Sequence, residues 1–281
     1  MTDAQKKTLA ITACKVRMGI LTATHAARSG HPGGSLSAAD LFTYLYFKEL
    51  NVDPADPKRE DRDRFVLSKG HTAPGLYAAL ALRGFFPQED LLTLRHVGSH
   101  LQGHPNMNTT PGVDMSTGSL GQGISAACGM ALAAKHLGNP CRVYTLLGDG
   151  EIQEGQPWEA FMFAHHYKLD NLCVIIDNNG LQLDGKLDDI MCPYPIPEKL
   201  RAFGFEVAEI DGNDFDQMEE AFAKARATKG VPFAIVMKTV KGKGVSYMEN
   251  QVGWHGKAPN DGEYEQAMAE LKAQLAEVEA M

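Results

Sequence analysis

The sequence predicts an α/β protein, a parallel sheet with helices on both faces. Three observations carry that expectation. From residue 142 onward, apolar strand patterns alternate with amphipathic helical ones: strand 142–147, helix 157–168, strand 172–177, then strand 205–210, helix 214–228 and strand 232–238. Such alternation implies crossover helices and a sheet buried on both sides. Two of the apolar runs, Val143–Leu147 and Leu172–Asp177, end in polar strings, Gly148-Asp149-Gly150 and Asn178-Asn179. In a parallel sheet these strand ends form the rim beyond which ligands bind. Finally, Ser119-Leu120-Gly121-Gln122-Gly123-Ile124 opens a helix of small residues to about His136, suited to close approach of helix and sheet.

The elements before that core are read from periodicity and punctuation. Leu9, Ala13, Val16, Ile20 and Thr24 recur at helical spacing, so residues 5–28 form one long helix. It stops at Ser29-Gly30-His31-Pro32-Gly33-Gly34, where Gly30 serves as the cap and Pro32 blocks continuation. A second helix runs from about Ser37 to Leu50. The charged, Pro-broken stretch 51–64 is a surface loop, Arg64–Ser68 a short strand, Lys69-Gly70-His71 a turn and 73–83 a third helix. Residues 98–118 lack periodicity, and a stretch that long is more often a functional loop than filler. Residues 241–256 are a second irregular segment, and an amphipathic helix from 259 to 281 closes the chain.

With 281 residues, 44% of them hydrophobic, the chain can bury one large core or two modest ones, and residues 1–281 read as a single domain without repeats or linkers. A net charge of -8 argues against nucleic acid as a partner. No apolar stretch approaches the ~20 residues that span a bilayer, so no membrane partner is expected. The first residues lack a cleavable signal pattern, which makes the cytoplasm the expected location. The five scattered cysteines form no Cys-x-x-Cys pair and read as small hydrophobes.

The two polar strings carry the chemistry. Asp149 offers a carboxylate and Asn179 an amide oxygen, a hard donor pair that suits Mg2+, with Ca2+ or Mn2+ as substitutes, when a phosphate group completes the shell. The flanking glycines, Gly150 among them, let a diphosphate approach the backbone. Alone, Gly148-Asp149-Gly150 reads as a turn; the paired string at the next strand end argues for a ligand site. Four histidines, His31, His71, His104 and His255, sit in Gly- or Pro-flanked turns, where an imidazole is held to donate or accept at neutral pH. His25, His136, His165 and His166 fall in helical stretches and read as packing or surface residues.

Six motifs in order, Ser29-Gly30-His31-Pro32-Gly33, Arg64-Phe65-Val66-Leu67-Ser68-Lys69-Gly70-His71, Gly103-His104-Pro105, Ser116-Thr117-Gly118-Ser119-Leu120-Gly121-Gln122-Gly123, Gly148-Asp149-Gly150-Glu151 and Asp177-Asn178-Asn179, make the chain resemble the N-terminal, diphosphate-binding domain of transketolases. The resemblance covers nearly the whole chain. It implies the thiamine-diphosphate-binding (PP-type) fold and thiamine diphosphate with Mg2+ as cofactors, the metal held by Asp149, Asn179 and the Leu181 carbonyl. It further implies that the four histidines line the donor channel, that His71 and His255 also approach the diphosphate, and that Gly118, Ser119, Leu120 and Gly150 contact the cofactor. Glu154 matches a glutamate linking the two active sites of the family's dimer; as a residue it is otherwise an acid near a helix start, where the dipole favours it.

The resemblance also implies what a partner must bring. In the family, the glutamate that activates the cofactor belongs to a pyrimidine-binding domain that follows this one, and the C-terminal domain follows in turn. The expectation is therefore an N-terminal subunit of a split transketolase, working with a C-terminal subunit that carries the pyrimidine domain, as α2β2, on sugar-phosphate substrates. A fragment of a longer chain is the other explanation; the helical ending and the Met1 start favour the subunit. The implied reaction is transfer of a two-carbon ketol unit from a ketose phosphate to an aldose phosphate. The alternatives are a 1-deoxyxylulose-5-phosphate synthase-like condensation, against which His104 and the His31 motif argue, and a non-catalytic thiamine-diphosphate-binding subunit, against which the intact Asp149, Asn179 and histidine set argue.

Overall fold

A computed structural model describes all 281 residues. Five strands, β1 (Arg64–Leu67), β2 (Val143–Gly148), β3 (Leu172–Asn178), β4 (Glu206–Asp211) and β5 (Phe233–Lys238), form one sheet in the order β1-β2-β3-β5-β4, every neighbouring pair parallel. The alternation that predicted the sheet is visible in its two faces. Leu146, Cys173, Ile175, Ile235 and Met237 join the larger core, while Val143, Leu147, Val174, Ile176 and Val236 join the smaller one on the other side. Successive strand residues point to opposite faces, so both cores draw on the same three central strands.

The larger core lies beneath α1 (Asp3–Ala26), whose Leu9, Ala13, Val16 and Ile20 are buried as their spacing required. The helix starts two residues earlier than the periodicity showed, because Thr2 and Gln5 form a capping box. It ends at Ala26, and Arg28 and Gly30 then turn the chain with φ of 49° and 132°. The helix expected at 37–50 is displaced and divided. Pro32 does not merely stop α1; it occupies the first turn of α2 (Pro32–Ser37), where its missing N–H is no loss. α3 (Ala39–Tyr44) follows and runs into a π-helical turn at 45–49.

α4 (Ala73–Arg83) lies where expected, capped by Gly84 in the left-handed conformation. α5 (Gly123–Leu137) and α6 (Gly155–His166) cover the smaller core. α7 (Leu187–Ile190) and α8 (Ile196–Ala202) were not expected; α8 follows Pro195 and buries Ile196 and Leu200. α9 (Phe215–Ala227), N-capped by Asp214, and α10 (Asp261–Ala280), with an Asn260–Glu263 capping box, complete the larger layer. Four of the cysteines are buried and none is disulfide-bonded. No helix is long and apolar enough to cross a membrane.

The small-residue helix does bring helix and sheet together. A Cβ on Gly123 would stand 2.6 Å from the Ser68 Cα, just past β1, a contact with backbone that a side-chain shift does not relieve. Gly123→Ala is therefore expected to lower stability by about 1–3 kcal/mol, as overpacking does. Urea unfolding of the two proteins measures it, and equal midpoints would show that the helix slides freely on the sheet.

Candidate active site

Strands β2 and β3 run in register with Gly148 beside Asp177, so the residues that follow them emerge together at the carboxyl rim. Asp149 is 2% exposed, and its oxygens accept N–H bonds from Gly150 at 2.8 Å and Gly180 at 2.6 Å. The Asn179 amide nitrogen donates to Asp177 at 3.2 Å and its oxygen accepts from the Leu181 N–H at 3.1 Å. Asp149, Asn179 and Leu181 thus share one wall of a cavity of about 260 Å3. A larger groove of about 700 Å3, lined by Arg62, Arg64 and Asp114, lies at the amino end of β1 and carries none of these groups.

Three of the four singled-out histidines meet on the same cavity. His31 precedes α2, His71 lies in the turn after β1, and His255 follows a short 3-10 turn at 252–254. Glycines let these turns touch: a Cβ on Gly33 would meet the Trp254 carbonyl oxygen at 2.7 Å, and one on Gly34 the Thr72 methyl at 2.9 Å. The rings stand 5.2 Å (His31–His71), 5.4 Å (His31–His255) and 5.1 Å (His71–His255) apart between centroids. His104 is not on this wall. Its ring lies behind Gly118, 3.2 Å from where a Cβ there would be, in an adjoining groove that Ser119 also lines. Gly118 borders both spaces, Leu120 and Gly150 line the cavity, and Leu120 is 41% exposed. Glu154 stands outside the cavity, exposed just before α6 and packed against Gly121.

Two lysines that sequence reasoning passed over supply the positive charge. Lys69 and Lys241 are each 2% exposed and line the cavity. Lys69 pairs with Asp177, and Lys241 donates to the Leu181 carbonyl at 3.2 Å and contacts His255 Nδ1 at 2.9 Å. Lys69 was in plain view inside the Ser68-Lys69-Gly70-His71 motif; Lys241, in an aperiodic segment, had only its glycine-rich neighbourhood to mark it. Glu151 and Asp177 were quoted within motifs but given no role, and both are buried here.

Burial sets the protonation states. It pushes His31 down to about 4, helped by the Arg95 charge, and His255 down to about 3, helped by Lys241. Burial and then Lys69 hold His71 well below the usual imidazole range, and burial with Arg95 lowers His104. Burial also brings Lys241 down to about 8, and raises Asp149 to about 7 with the Asp177 charge adding to it. The imidazoles are neutral at pH 7, able to donate from one nitrogen and accept at the other. His31 Nδ1 is buried without any hydrogen-bond partner.

These residues fit a diphosphate held with a divalent cation. Asp149 is buried with no ion-pair partner, and its raised proton affinity is what a cation beside it would reverse. No three His, Cys, Asp or Glu side chains converge as ligands, so a cation here would use the all-oxygen set of carboxylate, carboxamide and backbone carbonyl, which suits a hard ion. Buried Lys69 and Lys241 face the same space and would neutralise phosphate oxygens.

Fold and site together define an α/β domain whose cavity at the carboxyl rim of the sheet fits a diphosphate-bearing ligand. Comparison with known proteins makes this specific. Residues 8–277 match the family model "Transketolase, thiamine diphosphate binding domain", and the chain belongs to that family. It is 46% identical over 243 residues to the 6-deoxy-6-sulfo-D-fructose transketolase subunit SqwG of Clostridium sp. (strain MSTE9), covering 86% of this chain and 88% of that one. It is 43% identical over 270 residues to an apulose-4-phosphate transketolase subunit of Actinobacillus succinogenes, covering 96% of each. The transketolase of Leishmania mexicana superposes with a TM-score of 0.88 at 31% identity, over 97% of this chain and 45% of that one. The chain thus spans under half the length of the solved transketolase that it matches.

The neutral histidines have a consequence for acid stability. Well above pH 6.5, the ordinary imidazole value, the group is uncharged in folded and unfolded chains alike. As pH falls from there toward 4, the unfolded chain binds a proton that folded His31 refuses, so stability falls with pH across that window. His31→Gln removes one such group, and its melting temperature is expected to fall less than that of the wild type between pH 7 and pH 4.5. Thermal melts across that range read the difference, and parallel slopes would show that His31 is not held neutral.

Proposed function

We propose that this chain is the diphosphate-binding half of a two-chain transketolase that moves a two-carbon ketol unit from a ketose to an aldose. One observation carries the reading. The acid–amide pair, two buried lysines and three neutral histidines converge on a single cavity at the carboxyl rim. The reading draws further support from relatives that are themselves called transketolase subunits and that this chain matches over 88% and 96% of their lengths. On this reading residues 1–281 act as one domain in the cytoplasm, and the second chain brings the pyrimidine-binding domain, two copies of each forming the assembly. The donor is a ketose carrying a terminal anion, since the substrates named for the relatives include a sulfo sugar and a sugar phosphate.

Asp149, Asn179 and the Leu181 carbonyl would hold Mg2+, with Lys69, Lys241, His71 and His255 toward the diphosphate. When bound, thiamine diphosphate supplies the nucleophilic carbon and the electron sink for cleaving the bond next to a ketose carbonyl. The chain's own part is to orient and to move protons. His31 and His255, kept neutral by burial, are suited to donate to a carbonyl oxygen as it gains charge and to accept a hydroxyl proton as a bond breaks. His104, from the adjoining groove, would reach a longer sugar. Glu154, exposed beside Gly121, would on this reading be the residue that meets a second copy.

The test is a reconstitution with the co-purifying partner. Asp149→Ala and Asn179→Ala should each weaken thiamine diphosphate binding in the presence of Mg2+, and lower ketol transfer, by about 100-fold or more, as loss of a ligand exceeds the 10–100-fold seen for outer-shell changes. Full activity in Asp149→Ala would remove the metal assignment. Ketol transfer by the isolated chain would overturn the two-chain reading, and condensation of pyruvate in place of ketol transfer would change the reaction.

A further inference from the structure

We propose that Glu151 is a positioning residue that pins the Gly118–Gly121 loop to the sheet rim and thereby shapes the cofactor end of the cavity. The inference deepens the function proposed above and, for its consequence on cofactor affinity, rests on it. Glu151 opens the 3-10 turn after Gly150 and is 3% exposed. One carboxylate oxygen accepts from the Ser68 hydroxyl at 2.5 Å and from the Gly121 N–H at 2.9 Å; the other accepts from the Gly148 N–H at 3.0 Å. A single side chain therefore joins the end of β1, the loop before α5 and the end of β2.

The start of that loop is held separately, by the Thr117 N–H on the Pro105 carbonyl at 3.3 Å and by packing of Gly118 against Gly70 and the His104 ring. The Thr117 hydroxyl anchors its start on the Leu67 carbonyl at 2.7 Å, and the amides of Gly118, Ser119 and Leu120 donate to no protein atom. At the other end Gly121 takes φ of 82° and lies close against Glu154 and Pro157. Its N–H to Glu151 is the loop's bond to the rim, and the conformation it fixes leaves free N–H groups beside the cavity that Gly118 and Leu120 line.

A carboxylate under an anion site needs an account, and the three donors give it. They use most of the roughly four acceptor positions of a carboxylate, and Lys69 lies near enough to offset its charge. The chemistry also explains why an acid is required. Donors approach both oxygens, so a glutamine would turn its NH2 toward another N–H or O–H wherever it pointed, leaving a buried donor unmatched.

The experiment compares wild type, Glu151→Ala, Glu151→Gln and Ser68→Ala, each as the full chain reconstituted with its partner. Hydrogen–deuterium exchange reads the loop, and calorimetric titration with thiamine diphosphate plus MgCl2 reads the cofactor. Glu151→Ala should speed exchange of the bonded Gly121 and Gln122 amides by about tenfold while peptides from α1 and α9 stay unchanged, and should weaken binding by about tenfold, the effect of one buried hydrogen bond lost. Glu151→Gln, which can keep its oxygen on Gly121 and Ser68 and lose only the Gly148 bond, should do less. Ser68→Ala, which leaves the Gly121 bond in place, should keep wild-type exchange over 117–122. Unchanged exchange at Gly121 and Gln122 in Glu151→Ala, or a uniform rise along the whole chain, would overturn the positioning role. Faster exchange with unaltered affinity would overturn its link to the cofactor. If the wild type, reconstituted with its partner, bound no thiamine diphosphate, the function above would fall, and the exchange pattern would still decide what Glu151 holds.

Discussion

The buried carboxylate of Asp177 is the constraint on which the rest of the site depends. It lies at the end of β3 with no exposed surface and accepts from the Ser37 hydroxyl at 2.5 Å, the Asn179 amide at 3.2 Å, the Thr239 hydroxyl and the Lys69 ammonium. Each donor belongs to a different piece of the site. Ser37 ends the helix that begins after His31, Lys69 is two residues before His71, Thr239 two before Lys241, and Asn179 carries the amide oxygen. A buried ion pair adds little net stability, because removing both charges from water costs about what their attraction returns. What this one contributes is geometry. Removing either partner would strand the other charge, at about 3–5 kcal/mol, so the four segments are held to one arrangement.

The pair also sorts the charges. With Lys69 beside it, and two hydroxyls and an amide on its oxygens, Asp177 stays ionised against the pull of burial. Positive charge in the cavity then resides on the lysines, while burial and those same lysines keep His71 and His255 neutral. Under the proposed function this division matters. The diphosphate would be met by ammonium groups and a cation, which leaves the imidazoles free to exchange protons with a sugar.

How much of this was legible in the sequence varies with the kind of signal. The sheet was legible because strands buried on both faces read as short apolar runs, and each expected strand lies within a residue or two of its place. Asp149 and Asn179 were legible because both follow such runs. The helix at 37–50 was misplaced because Gly33 and Gly34 look like breakers; here Pro32 starts the turn and the glycines are present for close packing against Trp254 and Thr72. At four and seven residues, α7 and α8 are too short to show a period. Lys69, Lys241, Glu151 and Asp177 stayed without roles because nothing local distinguishes a buried charge from a solvated one. Their partners lie far away in the chain, Lys69 and Asp177 being 108 residues apart.

Three carboxylates, Asp149, Glu151 and Asp177, are buried around a cavity suited to an anion, and counting their acceptors separates their work. A carboxylate offers about four acceptor positions. Asp177 has four donors and Glu151 three, so most of their acceptor positions are used inside the protein. Asp149 has two, both backbone N–H groups, and no ion-pair partner. Burial and the neighbouring Asp177 charge lift its proton affinity to about 7, whereas Asp177 is held below its ordinary value. An acid left half-satisfied among satisfied ones, facing a cavity rather than a side chain, is the one with acceptor capacity to give to a cation. The geometry thus singles out Asp149 by the bonds that its two neighbours already make.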